Sequence, residues 1–168
     1  MTVADAFTPE QWALVAELPS RIVAAAATIE TADGSGSTRE VLAGLQGILQ
    51  GAQLLRDNAI VDAVFDRYKT DGQGEALTLA LSQSPPADLA ASTLAQARAA
   101  AALLADRADL MADLPEFFLW LVGLADEIVA IATTGGFLGF GGRRVTGAET
   151  AFVGGLKAAL GVVDVATS

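Results

Sequence analysis

The sequence predicts an all-α protein, a single-domain helical bundle of about six helices. Apolar residues recur at helical spacing along most of the 168 residues, and no stretch alternates apolar and polar side chains for long enough to predict a sheet. Three helix starts have the spacing of a capping box, in which a serine or threonine caps the helix and the residue three positions later closes the box. A chain of this length builds one core, so one domain over 1–168 is expected.

The first two helices are predicted from their starts. Thr8 and Gln11 form the first capping box, with Pro9 at the first helical position, where its missing N–H has no helical partner to lose. Pro19 then predicts a kink or the start of a second segment, "PSRIVAAAATIETAD". The glycines of "DGSGS" are expected to end that segment.

A third helix is predicted from about Thr38 to Leu55, because Ser37 and Glu40 form the second capping box. The segment "NAIVDAVFDRYK" predicts a fourth helix with one apolar face. That face comprises Ile60, Val61, Val64, Phe65 and Tyr68.

The second half of the chain is predicted to form a turn and three further helices. "SPP" at 84–86 is expected to form a turn, followed by one long alanine-rich helix over 87–113. Pro115 opens a helix that extends to about Thr134. Thr146 and Glu149 form the third capping box and start a final helix that reaches almost to the end of the chain. Its apolar face comprises Phe152, Val153, Leu156, Leu160 and Val163.

Two of these segments resemble each other. "PSRIVAAAAT" at 19–28 and "ADEIVAIATT" at 125–134 match at Ile-Val-Ala-x-Ala, and each precedes a glycine-containing loop and a capping box. We therefore predict a duplicated helix-loop-helix hairpin with a pseudo-two-fold relation. The boundaries are about 9–55 for repeat 1, about 58–113 for the connecting helices and about 115–163 for repeat 2.

The composition excludes several chemistries. The chain has no histidine and no cysteine, which removes Ser-His-Asp triads, Cys-His pairs, ordinary zinc sites and histidine-ligated haem. No catalytic residue, metal site or cofactor is therefore assigned, and the protein is expected not to be an enzyme. Its net charge of −10 disfavours nucleic-acid binding, because it repels the phosphate backbone.

The longest apolar stretch, 117–142, is interrupted by Asp126 and Glu127. Two central carboxylates would oppose membrane insertion, so this stretch predicts a core helix and a protein that is not transmembrane. We expect a salt bridge between these carboxylates and Arg21 of the other repeat. The N-terminus lacks a basic region followed by an apolar run, which favours a cytoplasmic location.

The segment "GGFLGFGGRRVTGAET" at 135–150 is unusually apolar for a loop. Its large side chains either fold back on the protein's own core or dock on a second copy, on another protein or shallowly on a lipid surface. The second interpretation predicts a non-enzymatic interaction or scaffold protein that forms homo-oligomers through apolar helix and loop surface. The predicted partner-binding residues are Phe137, Leu138, Phe140, Arg143 and Arg144.

Two family resemblances accompany these patterns. The start "FTPEQW" and the segment "GGFLGFGG" with its following helix start resemble an uncharacterised family of bacterial all-helical proteins. This resemblance covers both ends of the chain, implies a helical fold in a bacterial protein, and implies no activity.

A more distant resemblance concerns "ETADGSGSTRE", which is similar to a stretch of TerB-like tellurite-resistance proteins. The resemblance implies divalent-metal binding or a stress response as an alternative function, with Asp33, Gly34 and Glu40 as the matching positions. Glu30 offers a further oxygen ligand on the same loop. The pattern requires an acidic residue followed by a glycine. The second hairpin departs from it, because it has Thr134 before Gly135.

Overall fold

The computed structural model describes residues 2–29, 38–71, 86–134 and 145–163, and these residues form an all-α bundle. They contain seven α-helices and two short 3-10 turns, at Ala4–Ala6 and Ala108–Leu110, and no β-strand. This count is one above the predicted total of about six, and the segment after Glu17 is a separate helix, as Pro19 allowed. The helices are α1 (Pro9–Ala16), α2 (Leu18–Thr28), α3 (Thr38–Leu54), α4 (Ala59–Asp71), α5 (Pro86–Ala105), α6 (Leu114–Thr134) and α7 (Gly147–Leu160).

Helix α2 lies at the centre of the bundle and packs against α3, α5 and α6. Every residue of α2 except Arg21 is buried. A helix that is apolar on all sides has to be covered on all sides, and its alanine run from Ala24 to Ala27 lets the neighbouring helices approach closely. This arrangement accounts for the high alanine content of the second segment.

Two of the predicted capping boxes are confirmed. Thr8 Oγ1 accepts a hydrogen bond from the Gln11 backbone N–H, and the Gln11 side chain accepts one from Thr8. Thr146 and Glu149 make the same pair of bonds at the start of α7. The remaining box, Ser37 and Glu40, lies partly outside the described residues, because it includes Ser37.

The start of α2 is capped from another helix. Glu17, its N-terminal flanking residue, makes no side-chain cap, whereas the Tyr68 hydroxyl of α4 accepts a hydrogen bond from the Ser20 backbone N–H at 3.2 Å. Since the Ser20 hydroxyl donates to the Glu17 carbonyl, Tyr68 donates to Ser20 Oγ at 3.0 Å. Burial raises the pKa of Tyr68 to about 12.

The N-terminal "FTPEQW" stretch fastens the chain start to the end of α5. The rings of Phe7 and Trp12 stack with centroids 6.0 Å apart, and the guanidinium of Arg107 lies 5.1 Å from the Phe7 centroid. Arg107 also donates to the Ala6 carbonyl and to both carboxylate oxygens of Asp109. The arginine lowers the pKa of the Asp109 carboxyl.

The same arginine explains where the long-helix prediction is wrong. Helix α5 ends at Ala105 and does not extend to Asp113. Arg107 has an extended backbone, with φ −105° and ψ 95°, and its side chain bonds to the N-terminal segment. A contact to a residue about a hundred positions away thus ends a helix that local propensity would continue.

The final helix also ends earlier than predicted. Gly161 has φ +70°, a left-handed conformation that favours glycine, and the Val162 N–H bonds back to the Lys157 carbonyl. This cap ends α7 at Leu160. Val163 is consequently outside the helix and 83% exposed, so its predicted place on the apolar face is wrong.

The two copies of the predicted hairpin repeat are alike in the burial of their matching isoleucines, but their second helices pack against different neighbours. Ile22 on α2 and Ile128 on α6 are both fully buried, and α2 packs directly on α6. However, α3 packs on α6, whereas the corresponding α7 packs mainly on α5. The pseudo-two-fold relation stays a prediction.

Candidate functional site

The predicted partner-binding residues are not part of the described structure. Phe137, Leu138, Phe140, Arg143 and Arg144 all lie within 135–144, outside the described residues. Their role as a contact surface stays a prediction from the sequence.

The predicted metal-binding residues are also only partly described. Glu30, Asp33 and Gly34 fall outside the described residues, and Glu40 lies in the first turn of α3. Within the described part of the chain, no three His, Cys, Asp or Glu side chains are close enough together to hold a metal ion. The described residues therefore give no geometric support for a metal site.

The predicted salt bridge between the repeats is wrong. Asp126 and Glu127 are exposed on α6, and neither makes an ion pair with Arg21 among the described residues. Arg21 instead donates to the Ser92 hydroxyl on α5 at 2.9 Å. The side chain of Arg21 leaves α2 toward α5, whereas Glu127 lies beside α3, with its Oε2 3.1 Å from the Cβ position of Gly47.

A groove lies between α3 and α6. Its volume is about 400 Å³, which is within the size range of ligand-binding clefts. Gly47 and Gly51 of α3 and Leu124 of α6 form its buried lining. The half-buried indole of Trp120 lies among them, and its Nε1 donates to the Gly47 carbonyl at 3.5 Å.

The groove exists because α3 presents small residues toward its neighbours. A Cβ at Gly44 would overlap Val23, and one at Gly47 would lie 2.8 Å from Leu124. A Cβ at Gly51 would overlap the indole of Trp120. Sequence reasoning missed this glycine face, although the i, i+3, i+7 spacing of Gly44, Gly47 and Gly51 on one helix could have indicated a close helix contact.

Large apolar side chains border the groove and remain in contact with water. Leu54 at the end of α3 is 81% exposed, and Leu119 on α6 is 58% exposed. Gly123 also lines the groove, and a Cβ built on it would meet no atom within 4 Å. The groove therefore has open space above the α6 backbone.

The polar residues of the groove are acidic or neutral. Glu116 and Glu127 are the first and last residues of α6 that line it, and Gln50 completes the polar lining. Among the described lining residues there is no lysine or arginine. Glu116 is positioned by Asn58, whose side-chain amide donates to its carboxylate at 3.3 Å and to the Asp113 carbonyl at 2.8 Å.

Asn58 also has a second role, which sequence reasoning did not assign. Its side-chain oxygen accepts hydrogen bonds from the backbone N–H groups of Ile60 and Val61 and so caps α4. Because Asn58 is buried, it connects the start of α4 rigidly to the start of α6. Its amide therefore gives the exposed Glu116 carboxylate one hydrogen bond at the end of the groove.

A second, smaller cavity of about 290 Å³ lies beside the N-terminal segment. Trp12 and Ala63 are among its lining residues, as are Asp66 and Arg67 of α4. Arg67 forms an ion pair with Glu17 at 3.8 Å, and this pair helps to join α4 to the junction of α1 and α2. The packing of the N-terminal segment against α4 accounts for these lining residues, so no binding role is assigned to this cavity.

Comparison with known proteins adds no family assignment. No protein-family model matches the chain, and neither a curated protein nor a solved structure shows significant similarity to it. A helix that could span a membrane is likewise not found among the described residues.

Proposed function

We propose that the protein is a non-enzymatic interaction or scaffold protein, and that the α3–α6 groove is a surface through which it binds another polypeptide. The observation that carries this proposal is the exposure of Leu54 and Leu119 in the same groove as the half-buried Trp120. Clustered large apolar side chains beside a cleft mark binding surfaces, and tryptophan is enriched at the centres of such surfaces.

The chemistry of the groove supports binding rather than catalysis. Its two carboxylates, Glu116 and Glu127, are eleven residues apart on one helix, which corresponds to about 16 Å along its axis. Carboxylate pairs that hydrolyse glycosides lie within about 10 Å of each other. The chain also lacks the histidine and cysteine on which most nucleophilic and acid–base sites depend.

Self-association is the second part of the proposal and rests on the sequence. The segment with Phe137, Leu138 and Phe140 followed by Arg143 and Arg144 combines apolar contact area with positive charge in a chain of net charge −10. Such a segment is suited to bind an acidic, partly apolar surface of a second copy.

The duplicated helix-loop-helix hairpin is also part of this proposal. The matching Ile22 and Ile128 are both at the centre of the packed core, which supports duplication of one hairpin. The different neighbours of α3 and α7 then leave the two copies with different outer surfaces. Among the described residues, three glycines of α3 are closely packed against other helices, compared with Gly155 alone on α7.

The proposal is tested with the purified protein by light scattering over a range of concentrations. We expect the wild type to form oligomers and Phe140→Asp to weaken them, whereas Leu119→Asp in the groove should leave them unchanged. Leu42→Asp is the matched control, because Leu42 is 54% exposed on α3 but does not line the groove. It should behave as the wild type does.

Partner binding is tested separately with a photoreactive residue at position 119 or, as the control, at position 42. Specific crosslinking to an identified protein from 119 alone supports the proposal. A wild type that is monomeric throughout, together with equal crosslinking from both positions, contradicts it.

A further inference from the structure

We propose that the α3–α6 groove binds an amphipathic helix of a partner protein that carries lysine or arginine near both ends of its apolar face. This inference rests on the proposed function and specifies the chemistry of the partner. Four features of the groove support it: its shape, its charge, its backbone and its open space.

The dimensions of the groove correspond to a short helix. Along α6 its lining extends from Glu116 to Glu127, about 16 Å or three helical turns. The apolar residues between these carboxylates follow a helical stripe, with Leu119, Trp120 and Gly123 at i+3, i+4 and i+7 from Glu116. A partner helix lying along this stripe would present about three turns of its own apolar face.

The charge of the groove selects a basic partner. Each end of the stripe carries a carboxylate, and no lysine or arginine is among the described lining residues. The net charge of −10 adds long-range attraction for a cationic segment. It also favours a basic segment over a second copy of this chain as the occupant of the groove, because the second copy itself has a net charge of −10. Self-association is proposed for the segment with Phe140, Arg143 and Arg144 and not for the groove.

The backbone around the groove favours a helical partner over an extended one. Both walls are α-helices, α3 and α6, whose backbone N–H and C=O groups are already bonded within each helix. An extended peptide would find no strand edge to pair with and would leave its own backbone groups unpaired over an apolar surface. A helix satisfies these groups internally.

Gly123 provides the point of closest approach. The space above it is open, because a Cβ there would meet no atom within 4 Å. An apolar side chain of the partner can therefore reach the α6 backbone between Leu119 and Glu127. This position also gives a direct way to fill the groove by substitution.

The test uses two synthetic amphipathic helices with the same leucine face. One has lysines eleven residues apart at the ends of that face, and the other has glutamates there. Binding is followed by Trp120 fluorescence in a Trp12→Phe background, since the chain has two tryptophans. Circular dichroism and thermal unfolding establish that each variant is folded.

We expect the lysine peptide to bind about tenfold more tightly than the glutamate peptide at low ionic strength, a preference that salt weakens. Glu116→Lys combined with Glu127→Lys should reverse it. Gly123→Leu should weaken binding about tenfold or more by filling the groove. Gly154→Leu is the matched control, because Gly154 is an exposed glycine of α7 whose Cβ would also meet no atom.

Four results would overturn the inference: equal affinity for both peptides, no binding of either peptide, unchanged binding by Gly123→Leu, or oligomers that Gly123→Leu dissociates. The last would make the groove an interface between copies of this chain. If neither peptide binds while Phe140→Asp still dissociates oligomers, the inference fails and the proposed interaction function stands.

Discussion

The indole of Trp120 on α6 lies against Gly51 on α3 so closely that a Cβ at position 51 would overlap the ring. One turn earlier on α3, the Gly47 carbonyl accepts a hydrogen bond from the same indole. The missing side chain at position 51 therefore determines how the two walls of the groove meet. The position of Trp120 in the groove depends on a glycine that contributes no side-chain contact of its own.

The first prediction is that Gly51→Ala destabilises the protein. Alanine in a helix is more favourable than glycine by about 0.5–1 kcal/mol, whereas forcing a methyl group into a packed contact costs about 1–3 kcal/mol. Because the Cβ meets the rigid indole of Trp120, we expect a net loss of about 1 kcal/mol or more in the free energy of unfolding. Urea unfolding measures this difference.

Gly123→Ala is the control for that measurement. Gly123 is on α6 in open space, so only the helix-propensity gain applies, and the free energy of unfolding should rise by about 0.5–1 kcal/mol. Equal stabilisation by both substitutions would contradict the close packing of Trp120 on Gly51.

The second prediction concerns the cap that Tyr68 provides for α2. Tyr68→Phe removes the acceptor of the buried Ser20 N–H and the donor to Ser20 Oγ. Leaving a buried donor unpaired costs about 1–3 kcal/mol, and we expect a loss of this size in the free energy of unfolding. Ser20→Ala keeps the backbone N–H bond to Tyr68 and should cost less, while a double mutant should show that the two losses are not additive.

A pH dependence follows from the same hydroxyl and is the third prediction. Burial raises the pKa of Tyr68 from 10.0 to about 12, so the folded protein keeps a proton that the unfolded chain releases. The corresponding stabilisation is complete below pH 10.0 and is lost as the pH rises toward 12, in total about 3 kcal/mol.

Absorbance of the tyrosinate form measures this titration directly, because the chain has a single tyrosine. The stability difference between wild type and Tyr68→Phe should shrink over the same pH window. A titration of the folded protein centred on pH 10.0 would show that the hydroxyl is not buried as described.

Short-range patterns in the sequence predict where several helices begin. The features that the sequence does not predict depend on contacts between residues far apart in the chain. Thr8 and Thr146 cap helices through residues three positions away, so their spacing alone predicts the bonds. The end of α5 depends instead on Arg107 reaching Ala6, and no pattern near Arg107 contains that information. The groove is a case of the same kind, because Gly51 acquires its role only where α6 places Trp120.

The charged residues of α6 likewise separate what a local pattern predicts from what long-range packing determines. Asp126 and Glu127 were correctly assigned to the edge of an apolar helix, since their position in the stripe is a local property. The predicted salt bridge from these carboxylates to Arg21 is wrong. The direction in which the Arg21 side chain leaves α2 depends on the packing of α5, where it bonds to Ser92. Helix faces were thus predictable here, whereas pairings between helices were not.

The last prediction uses two neighbouring hydroxyls of α5, one without a hydrogen-bond partner among the described residues and one with two. Thr93 Oγ1 is fully buried and has no hydrogen-bond partner in the described part of the protein. Ser92 Oγ accepts a bond from Arg21 and donates one to the Leu89 carbonyl. An unpaired buried hydroxyl has lost its bonds to water without replacement.

Thr93→Val keeps the shape of the side chain and removes the buried hydroxyl, so the free energy of unfolding should increase by about 1 kcal/mol. Ser92→Ala removes a bonded hydroxyl and deprives Arg21 of its acceptor, so we expect a decrease of about 1 kcal/mol. Thermal and urea unfolding of the two variants provide the comparison. A destabilised Thr93→Val would mean that the hydroxyl is bonded in the folded protein, contrary to this prediction.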